Sequence, residues 1–295
     1  MTETTVSAQP STGRAIAVLV FGAMVIGVGP ILVRFAEAGP VSAGFWRLTF
    51  ALPLLILMTA RTPGAFGAPP RAALLAGLFF ALDLGFWHSG IALTSVANAT
   101  VLSNLTPVVV TAFAWIFLKQ KPRSLFLVAV AVAVTGTAFM AIGRGGNPGP
   151  NPGLGDALST ITALWYACYF LAITAARKNS SAPRVMLWST LVGAPLMLLA
   201  ALAMGEQILP HSAKGWAAVV GLGLMHVAGQ GSIAWALGRL PAATASVTVL
   251  VQPVVAGLLG WWLFAETMGP LQALGCILAL GGVVLAQRAT TPTKA

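Results

Sequence analysis

Residues 106–122, TPVVVTAFAWIFLKQKP, align without a gap with residues 252–268, QPVVAGLLGWWLFAETM. Each stretch has a proline inside an apolar run and a tryptophan about two turns later. Other residues recur at nearly the same separation, namely Gly136 with Gly282, Trp46 with Trp188, and Pro53 with Pro195. The second half of the chain therefore repeats the first, which indicates a duplicated fold.

The composition around these stretches is that of a membrane protein. Hydrophobic residues make up 58% of the 295 residues and charged residues only 7%, against roughly 25% charged in a soluble domain. The apolar residues come in runs of about twenty, the length that crosses a hydrocarbon core. In lipid, helices or a closed barrel must satisfy the backbone, and the period-two alternation of a barrel is missing. We therefore predict an all-α integral membrane protein.

Ten apolar runs predict ten transmembrane helices arranged as two inverted five-helix repeats. The runs are 15–35, 41–60, 72–92, 96–118, 125–142, 154–175, 185–204, 216–237, 242–264 and 271–287. Because five is odd, equivalent helices of the two repeats cross the membrane in opposite directions. The expected organisation is a tail (1–13), the first repeat (14–143), a Gly-, Pro- and Asn-rich linker (144–153), the second repeat (154–288) and a tail (289–295).

The basic residues separate by loop. If the N-terminus is cytoplasmic, the cytoplasmic side carries Arg14, Arg61, Arg71, Lys119, Lys121, Arg123, Arg177, Lys178, Arg184, Arg239, Arg288 and Lys294. The other side's loops carry only Arg144 and Lys214, and Arg34 and Arg47 are assigned to outer helix ends. This asymmetry follows the positive-inside rule and explains the net charge of +10 without a nucleic-acid partner.

The cellular location follows from the same features. The apolar run after Arg14 is too long for a signal-peptide core, so we interpret it as a retained first span. The Ala- and Gly-rich composition is typical of a bacterial genome. We therefore expect a multi-pass protein of the bacterial inner membrane, with both termini cytoplasmic.

Three segments resemble the drug/metabolite transporter superfamily, in its EamA-type ten-helix branch. They are FWRLTFALP (45–53), ALTSVANATVLSNLTPVVVTAFAWIFLKQ (92–120) and LGRLPAATASVTVLVQPVVAGLLGWWLFAE (237–266). The family usually ends spans four and nine with Gly-Glu, whereas this chain has Gln120 in the first position and Glu266 in the second. The resemblance implies a transporter, most like exporters of aromatic and other neutral amino acids.

Three prolines are candidates for helix breaks. Pro107 and Pro253 lie inside spans four and nine, and Pro30 lies inside the first span. A proline removes one intrahelical hydrogen bond and frees a carbonyl, which lipid does not solvate unless protein or a water-filled cavity does so. The breaks therefore either line a transport pathway or are packing kinks.

Polar residues inside spans form stripes along single helix faces. Asn104 lies on span four and Gln252 on span nine, while Tyr166 and Tyr169 share a face of span six, and His226 and Gln230 lie one turn apart on span eight. Such residues either line a cavity or form hydrogen bonds between helices. We expect a central, mostly apolar cavity bordered by spans three, four, six, eight and nine.

Asp83 is the one acid well inside a span, about halfway along the third. An intramembrane acid is a functional candidate, here as a proton site or a partner for a substrate ammonium; a neutral structural role is the alternative. Trp87 follows one turn later on the same face, and His88 points elsewhere. Trp87 and Trp165 are deep enough in their spans to stack on an aromatic substrate.

Other functions have weaker support. The sequence carries no Walker motif, no His-Glu-x-x-His, no Gly-x-Ser-x-Gly and no second intramembrane Asp, which argues against an ATPase or an intramembrane enzyme. Cys168 and Cys276 lie singly inside apolar runs, so neither a disulfide nor a metal site is expected. We expect no cofactor, a monomer in the lipid bilayer and a small-molecule substrate. Its identity, the direction of transport and the choice between proton antiport and facilitated diffusion stay open.

The topology yields the first testable prediction. Ser180 lies in the loop between spans six and seven, which is expected to be cytoplasmic. A single cysteine introduced there, in a chain without Cys168 and Cys276, should resist a membrane-impermeant thiol reagent in intact cells and react once the cells are opened. Strong labelling of that cysteine in intact cells would contradict the topology.

Overall fold

The computed structural model describes residues 12–62, 64–94, 96–117, 119, 121–143, 150–264 and 269–290, and these contain helices and no strand. Most of the predicted tails and linker, together with Gln120 and Glu266, lie outside this part. The helices are α1a (Thr12–Ile26), α1b (Gly29–Phe35), α2 (Pro40–Ala60), α3 (Arg71–Leu93), α4a (Val96–Ser103), α4b (Thr106–Ile116), α5 (Ser124–Ile142), α6 (Pro152–Arg177), α7 (Ala182–Ala203), α8 (Ala213–Met225, His226–Gln230 and Gly231–Leu237), α9a (Ala242–Thr248), α9b (Val251–Phe264) and α10 (Pro270–Thr290).

The surface of this bundle is suited to lipid. Eight helical spans among the described residues are long and apolar enough to cross a membrane, and α3 adds a further apolar helix of 23 residues. Large apolar side chains are exposed on several helices, for example Leu199 (63%) and Ile277 (68%). Such a surface would be unstable in water. The all-α integral membrane fold is therefore confirmed.

The packing of the helices repeats between the halves. Helices α2 and α7, and α5 and α10, each pack against their own equivalent, and spans four and nine meet through α4b and α9a. The remaining large contacts come in matching pairs: α3 packs on α6 as α8 packs on α1a, and α3 packs on α7 as α8 packs on α2. This pattern is that of a twofold relation between the two five-helix halves, as inverted repeats require.

Small residues at equivalent positions allow these helices to approach closely. A Cβ added at Gly136 of α5 would lie 2.3 Å from the backbone nitrogen of Ala279, and one at Gly282 of α10 would lie 2.5 Å from that of Ala133. The two contacts are equivalent, because Gly136 aligns with Gly282 and Ala133 aligns with Ala279. Membrane helices use small residues in this way because lipid gives no hydrophobic drive for association.

The helices are broken before all three prolines of interest. The breaks fall at 27–28, 104–105 and 249–250, so Pro30, Pro107 and Pro253 each lie in the first turn of a new helical segment. The spans predicted as continuous over 15–35, 96–118 and 242–264 are thus each two helices. At Pro107 the freed carbonyl is that of Ser103, and the Thr106 hydroxyl donates to it at 2.9 Å. A neighbouring side chain therefore replaces the lost backbone donor.

Side chains of one loop pair fix the start of α2. The Glu206 carboxylate, in the α7–α8 loop, accepts hydrogen bonds from the backbone nitrogens of Val41 (3.2 Å) and Ser42 (2.8 Å). Trp46 Nε1 donates to the Ile208 carbonyl at 2.8 Å. A carboxylate at a helix N-terminus satisfies unpaired donors and complements the helix dipole. The first two turns of α2 are therefore bound to the α7–α8 loop.

The same loops make a second contact. The Glu37 carboxylate, between α1b and α2, accepts from the backbone nitrogen and the hydroxyl of Ser212, each at 2.9 Å. These hydrogen bonds, the Ser212 hydroxyl first, lower the pKa of the Glu37 carboxyl below its ordinary value. At the opposite end of the bundle, Arg184 Nη2 donates to the Ala68 carbonyl at 2.8 Å. The α2–α3 and α6–α7 loops are therefore also joined.

The close crossing of α5 and α10 can be tested with neighbouring glycines. Gly282→Val should destabilise the protein because its side chain would meet Ala133, and overpacking typically costs about 1–3 kcal/mol. The corresponding fall in melting temperature is about 2–12 °C, measured by thermal unfolding in detergent. Gly281→Val is the matched control, since no atom lies within 4 Å of a Cβ there. Equal melting temperatures for the two variants would contradict the close approach.

Candidate functional site

Polar side chains from α2, α3, α6 and α8 meet inside the bundle around the ring of Phe80. The Arg47 guanidinium carbon lies 5.3 Å from the centre of that ring. The rings of Tyr169 and His226 lie 4.9 Å and 5.6 Å from it. Phe80 and His226 come three residues after the equivalent glycines Gly77 and Gly223, so their contact lies where the two halves meet. We call this group the central cluster.

The position of Arg47 corrects the sequence analysis, which assigned it to an outer helix end. Arg47 lies about two turns inside α2. The α7–α8 loop, through Glu206 and Ile208, covers those turns. Its charge acts on Tyr166, Tyr169 and Asp83. A guanidinium two turns from a capped helix start is therefore a central group and not an interfacial anchor.

Asp83 lies midway along α3 and is 8% exposed. Arg47 is the only charged group that acts on its carboxylate among the described residues. In that part of the chain no hydrogen bond or ion pair engages the Asp83 side chain, so Asp83 and Arg47 interact without a nitrogen–oxygen contact within 4 Å. An acidic and a basic side chain thus lie near one region without an ion pair between them.

The two tyrosines of α6 form one wall of the cluster. Their rings are parallel, with centres 5.9 Å apart and an angle of 3° between the planes. The Tyr169 hydroxyl accepts a hydrogen bond from Gln230 Nε2 at 2.9 Å, and both side chains are 1% exposed. The Tyr166 hydroxyl lies near the amides of Gln230 and Gln252, without a hydrogen bond to either among the described residues. The predicted polar stripes of spans six, eight and nine are therefore adjacent in space.

A π-helical turn presents the polar residues of α8. It runs from His226 to Gln230, and such turns are frequent at functional sites. His226 Nε2 lies 3.3 Å from the Thr190 hydroxyl of α7, while its buried Nδ1 has no hydrogen-bond partner. The widened turn places His226 beside Phe80 and Gln230 beside Tyr169. No periodicity in the sequence predicts it.

The broken helices carry the two remaining amides. Asn104 is the first residue of the break in α4 and is partly buried. Gln252 is the second residue of α9b, and its buried Nε2 has no hydrogen-bond partner. Both amides therefore stand next to an interrupted helix. Gln252 acts on the Tyr166 hydroxyl and so lies near it, whereas no described contact connects Asn104 with the central cluster.

The tryptophan and histidine candidates of α3 and α6 differ from expectation. The Trp165 ring stacks on Phe79 at 6.0 Å and meets Phe86 edge-on at 6.1 Å, so it packs between α6 and α3. Trp87 is partly buried one turn after Asp83. His88 lies on α3, and its side chain is outside the described part of the structure. The geometry thus adds Trp165 to helix packing, while Asp83 is the α3 candidate that lies one turn after Phe80 of the cluster.

Sequence reasoning missed Arg47, Phe80 and Thr190 as members of the site. The signal for Arg47 was present, because an arginine beside Trp46 opens one of the segments quoted above and charge inside a span is costly. Phe80 and Thr190 have no comparable signal among so many apolar and hydroxyl residues. Among the described residues no group of three His, Cys, Asp or Glu side chains could hold a metal ion.

The central cluster combines three kinds of chemistry. A guanidinium and a carboxylate supply opposite charges, the amides and hydroxyls supply neutral donors and acceptors, and the aromatic rings supply apolar walls. Ligand sites for small molecules are typically apolar with a few placed polar groups. The arrangement is therefore suited to binding a small organic molecule reversibly.

Comparisons with known proteins agree with this geometry. The EamA-like transporter family matches residues 13–142 and again residues 153–287. An uncharacterized transporter of Archaeoglobus fulgidus is 25% identical over 92% of this chain and 96% of its own length. An uncharacterized transporter of Synechocystis sp. is 35% identical over a shorter stretch, 28% of this chain and 26% of its own.

The fold is also found in a solved crystal structure. That structure superposes with a TM-score of 0.80, covering 95% of this chain and all of the other, at 20% sequence identity. At that identity the likeness concerns the fold alone. The double family match, by contrast, extends over both five-helix halves. The chain therefore belongs to the EamA-like transporter family, within the drug/metabolite transporter superfamily, and is a membrane transporter.

Proposed function

We propose that this protein exports neutral amino acids, aromatic ones included, across the inner membrane of a bacterium. The observation that carries the proposal is the central cluster, in which charged and amide groups lie against the paired rings of Tyr166 and Tyr169. A zwitterionic ligand has two charges and no net charge, as do Arg47 and Asp83 together. An aromatic side chain would gain stacking on the tyrosine rings.

Transport by alternating access fits the organisation of the helices. The cluster lies where the equivalent residues Phe80 and His226 meet, and inverted-repeat transporters bind substrate between their halves. Loops join the halves near both ends of α2 and α7, through Glu206 at one end and Arg184 at the other. In this proposal each end opens in turn, while the interrupted helices α4 and α9 absorb the bending.

A transport assay distinguishes this proposal from an enzymatic function. We expect the purified protein in proteoliposomes to move labelled phenylalanine and alanine down an imposed gradient without changing them chemically. A panel of neutral, acidic and basic amino acids, run with and without a pH gradient, gives both substrate class and coupling. No flux of any neutral amino acid by protein that is correctly folded in the vesicles would refute the proposal.

Substrate selectivity should depend on the aromatic wall. Tyr169→Ala and Trp87→Ala should weaken transport of phenylalanine and tryptophan several-fold more than transport of alanine. The reason is that stacking on a ring contributes about 0.5–1.5 kcal/mol beyond burial, which is up to about tenfold in affinity. The measurement is the ratio of initial rates for aromatic and small substrates.

Two further variants serve as controls for that measurement. Tyr169→Phe keeps the ring and should keep the ratio, although it removes the acceptor for Gln230. Trp262→Ala removes a ring that is 73% exposed on the surface and should leave both rates unchanged. If Tyr169→Ala and Trp87→Ala retain wild-type selectivity, these residues do not contact the substrate.

Energy coupling should depend on Asp83. We propose that its carboxylate holds a proton when no substrate is bound, which would make export an exchange against protons. Asp83→Asn is isosteric and cannot ionise, so it should fold normally and lose the acceleration that a pH gradient gives. Flux should be compared with and without the gradient, in wild-type protein and in the variant. An unchanged response in Asp83→Asn would exclude Asp83 as the proton carrier.

A further inference from the structure

The guanidinium of Arg47 is incompletely satisfied inside the membrane. Its Nε atom is inaccessible and has no hydrogen-bond partner. The guanidinium carbon lies over the face of Phe80, 5.3 Å from the centre of the ring. Its charge acts on the side chains of Tyr166, Tyr169, Asp83 and His226. An arginine side chain offers five donors in a planar fork that matches a carboxylate. No hydrogen bond of its terminal nitrogens is found among the described residues, and the side chain is partly exposed, so these nitrogens are available to a ligand.

Asp83 presents the complementary group on the neighbouring helix. Its carboxylate is buried and, within the described chain, has Arg47 as its only charged neighbour and no hydrogen-bond donor. Burying a charge without a partner is strongly unfavourable, and a pair is stable only when its geometry and additional hydrogen bonds are good. Neither condition holds here without a ligand. A molecule between the two groups would supply the missing partners.

We propose that Arg47 and Asp83 together recognise the two backbone charges of a zwitterionic amino acid, Arg47 binding its carboxylate and Asp83 its ammonium group. The inference rests on the proposed function and assigns the residues that would decide the substrate class. An anionic ligand would be repelled by Asp83, and a cationic amine would leave Arg47 unpaired. A ligand with an ammonium and a carboxylate group on the same carbon satisfies both groups, while the Tyr166 and Tyr169 rings face the side chain.

Three probes of one shape separate the two charges. Phenylalanine carries both, phenethylamine lacks the carboxylate, and 3-phenylpropionate lacks the ammonium group. Each is tested as a competitor of labelled phenylalanine uptake into proteoliposomes. For the wild-type protein we expect phenylalanine to compete at least about tenfold better than either analogue, because a charge-assisted hydrogen bond is worth about tenfold to hundredfold in affinity.

The variants should then fail in opposite ways. Arg47→Gln should weaken phenylalanine by about tenfold or more and leave phenethylamine unchanged, so the preference for a carboxylate disappears. Asp83→Asn should weaken phenylalanine similarly and improve 3-phenylpropionate, because the carboxylate that repels an anion is gone. Arg47→Lys keeps the charge without the fork and should lie between wild type and Arg47→Gln. Arg288→Gln, at the exposed end of α10, is the control for a lost surface charge.

The outcomes distinguish this inference from the function on which it rests. If the wild-type protein moves no neutral amino acid, the proposed function and the inference are both wrong. If it does, and Arg47→Gln weakens all three probes equally or leaves their ratios unchanged, Arg47 is structural and only the inference is wrong. Should Arg47→Gln fail to fold, the ratio in Arg47→Lys decides: an unchanged preference for phenylalanine over phenethylamine refutes the assignment.

Discussion

A hydrocarbon solvent cannot hydrogen-bond, and this constraint accounts for the location of the polar side chains inside the spans. Groups inside the spans must find partners within the protein, so the polar side chains of α2, α3, α6 and α8 face one another and not the surface. Thr106 donates to the carbonyl that Pro107 frees, and Gln230 donates to Tyr169. The groups that stay unsatisfied, above all Arg47, are then conspicuous because lipid cannot compensate for them. In this protein an unmet hydrogen bond is therefore informative about a ligand.

The helix packing is twofold symmetric, whereas the site at its centre is not. Equivalent backbone contacts, such as Gly136 with Ala279 and Gly282 with Ala133, hold both halves in the same way. At the centre the equivalence ends: Phe80 of one half faces His226 of the other, and Arg47 aligns with Ser189. The first half supplies the charges and the second half supplies the tyrosines and the amide of Gln230. A symmetric scaffold can rock between two equivalent arrangements, while an asymmetric centre can recognise a ligand whose two ends differ.

Much of the fold could be predicted from sequence because its determinants are local. Apolar runs, loop charges and aligned prolines each act over a few residues, and the helices follow them to within about one turn. The site was predicted less well where it depends on contacts between distant segments. Arg47 was misplaced because nothing near it in sequence indicates that Glu206 and Ile208, from the other half, cover the start of α2. Trp165 was expected in the cavity, but a rotation of one residue along α6 turns its ring towards Phe79 and Phe86. The π-helical turn at His226 leaves no periodic signal at all.

The loop contacts connect the site to the movement that we propose. Helix α2 carries Arg47, and its start is fixed by Glu206 of the α7–α8 loop. Helix α7 carries Thr190, which contacts His226, and its first turns carry Arg184, which binds the α2–α3 loop. The two helices also pack against each other. Releasing the Glu206 contact frees the start of α2, and releasing the Arg184 contact frees the start of α7, so each release would shift one side of the central cluster. A ligand held between Arg47 and Asp83 would bridge α2 and α3, and its arrival or departure would therefore change the balance between the two ends.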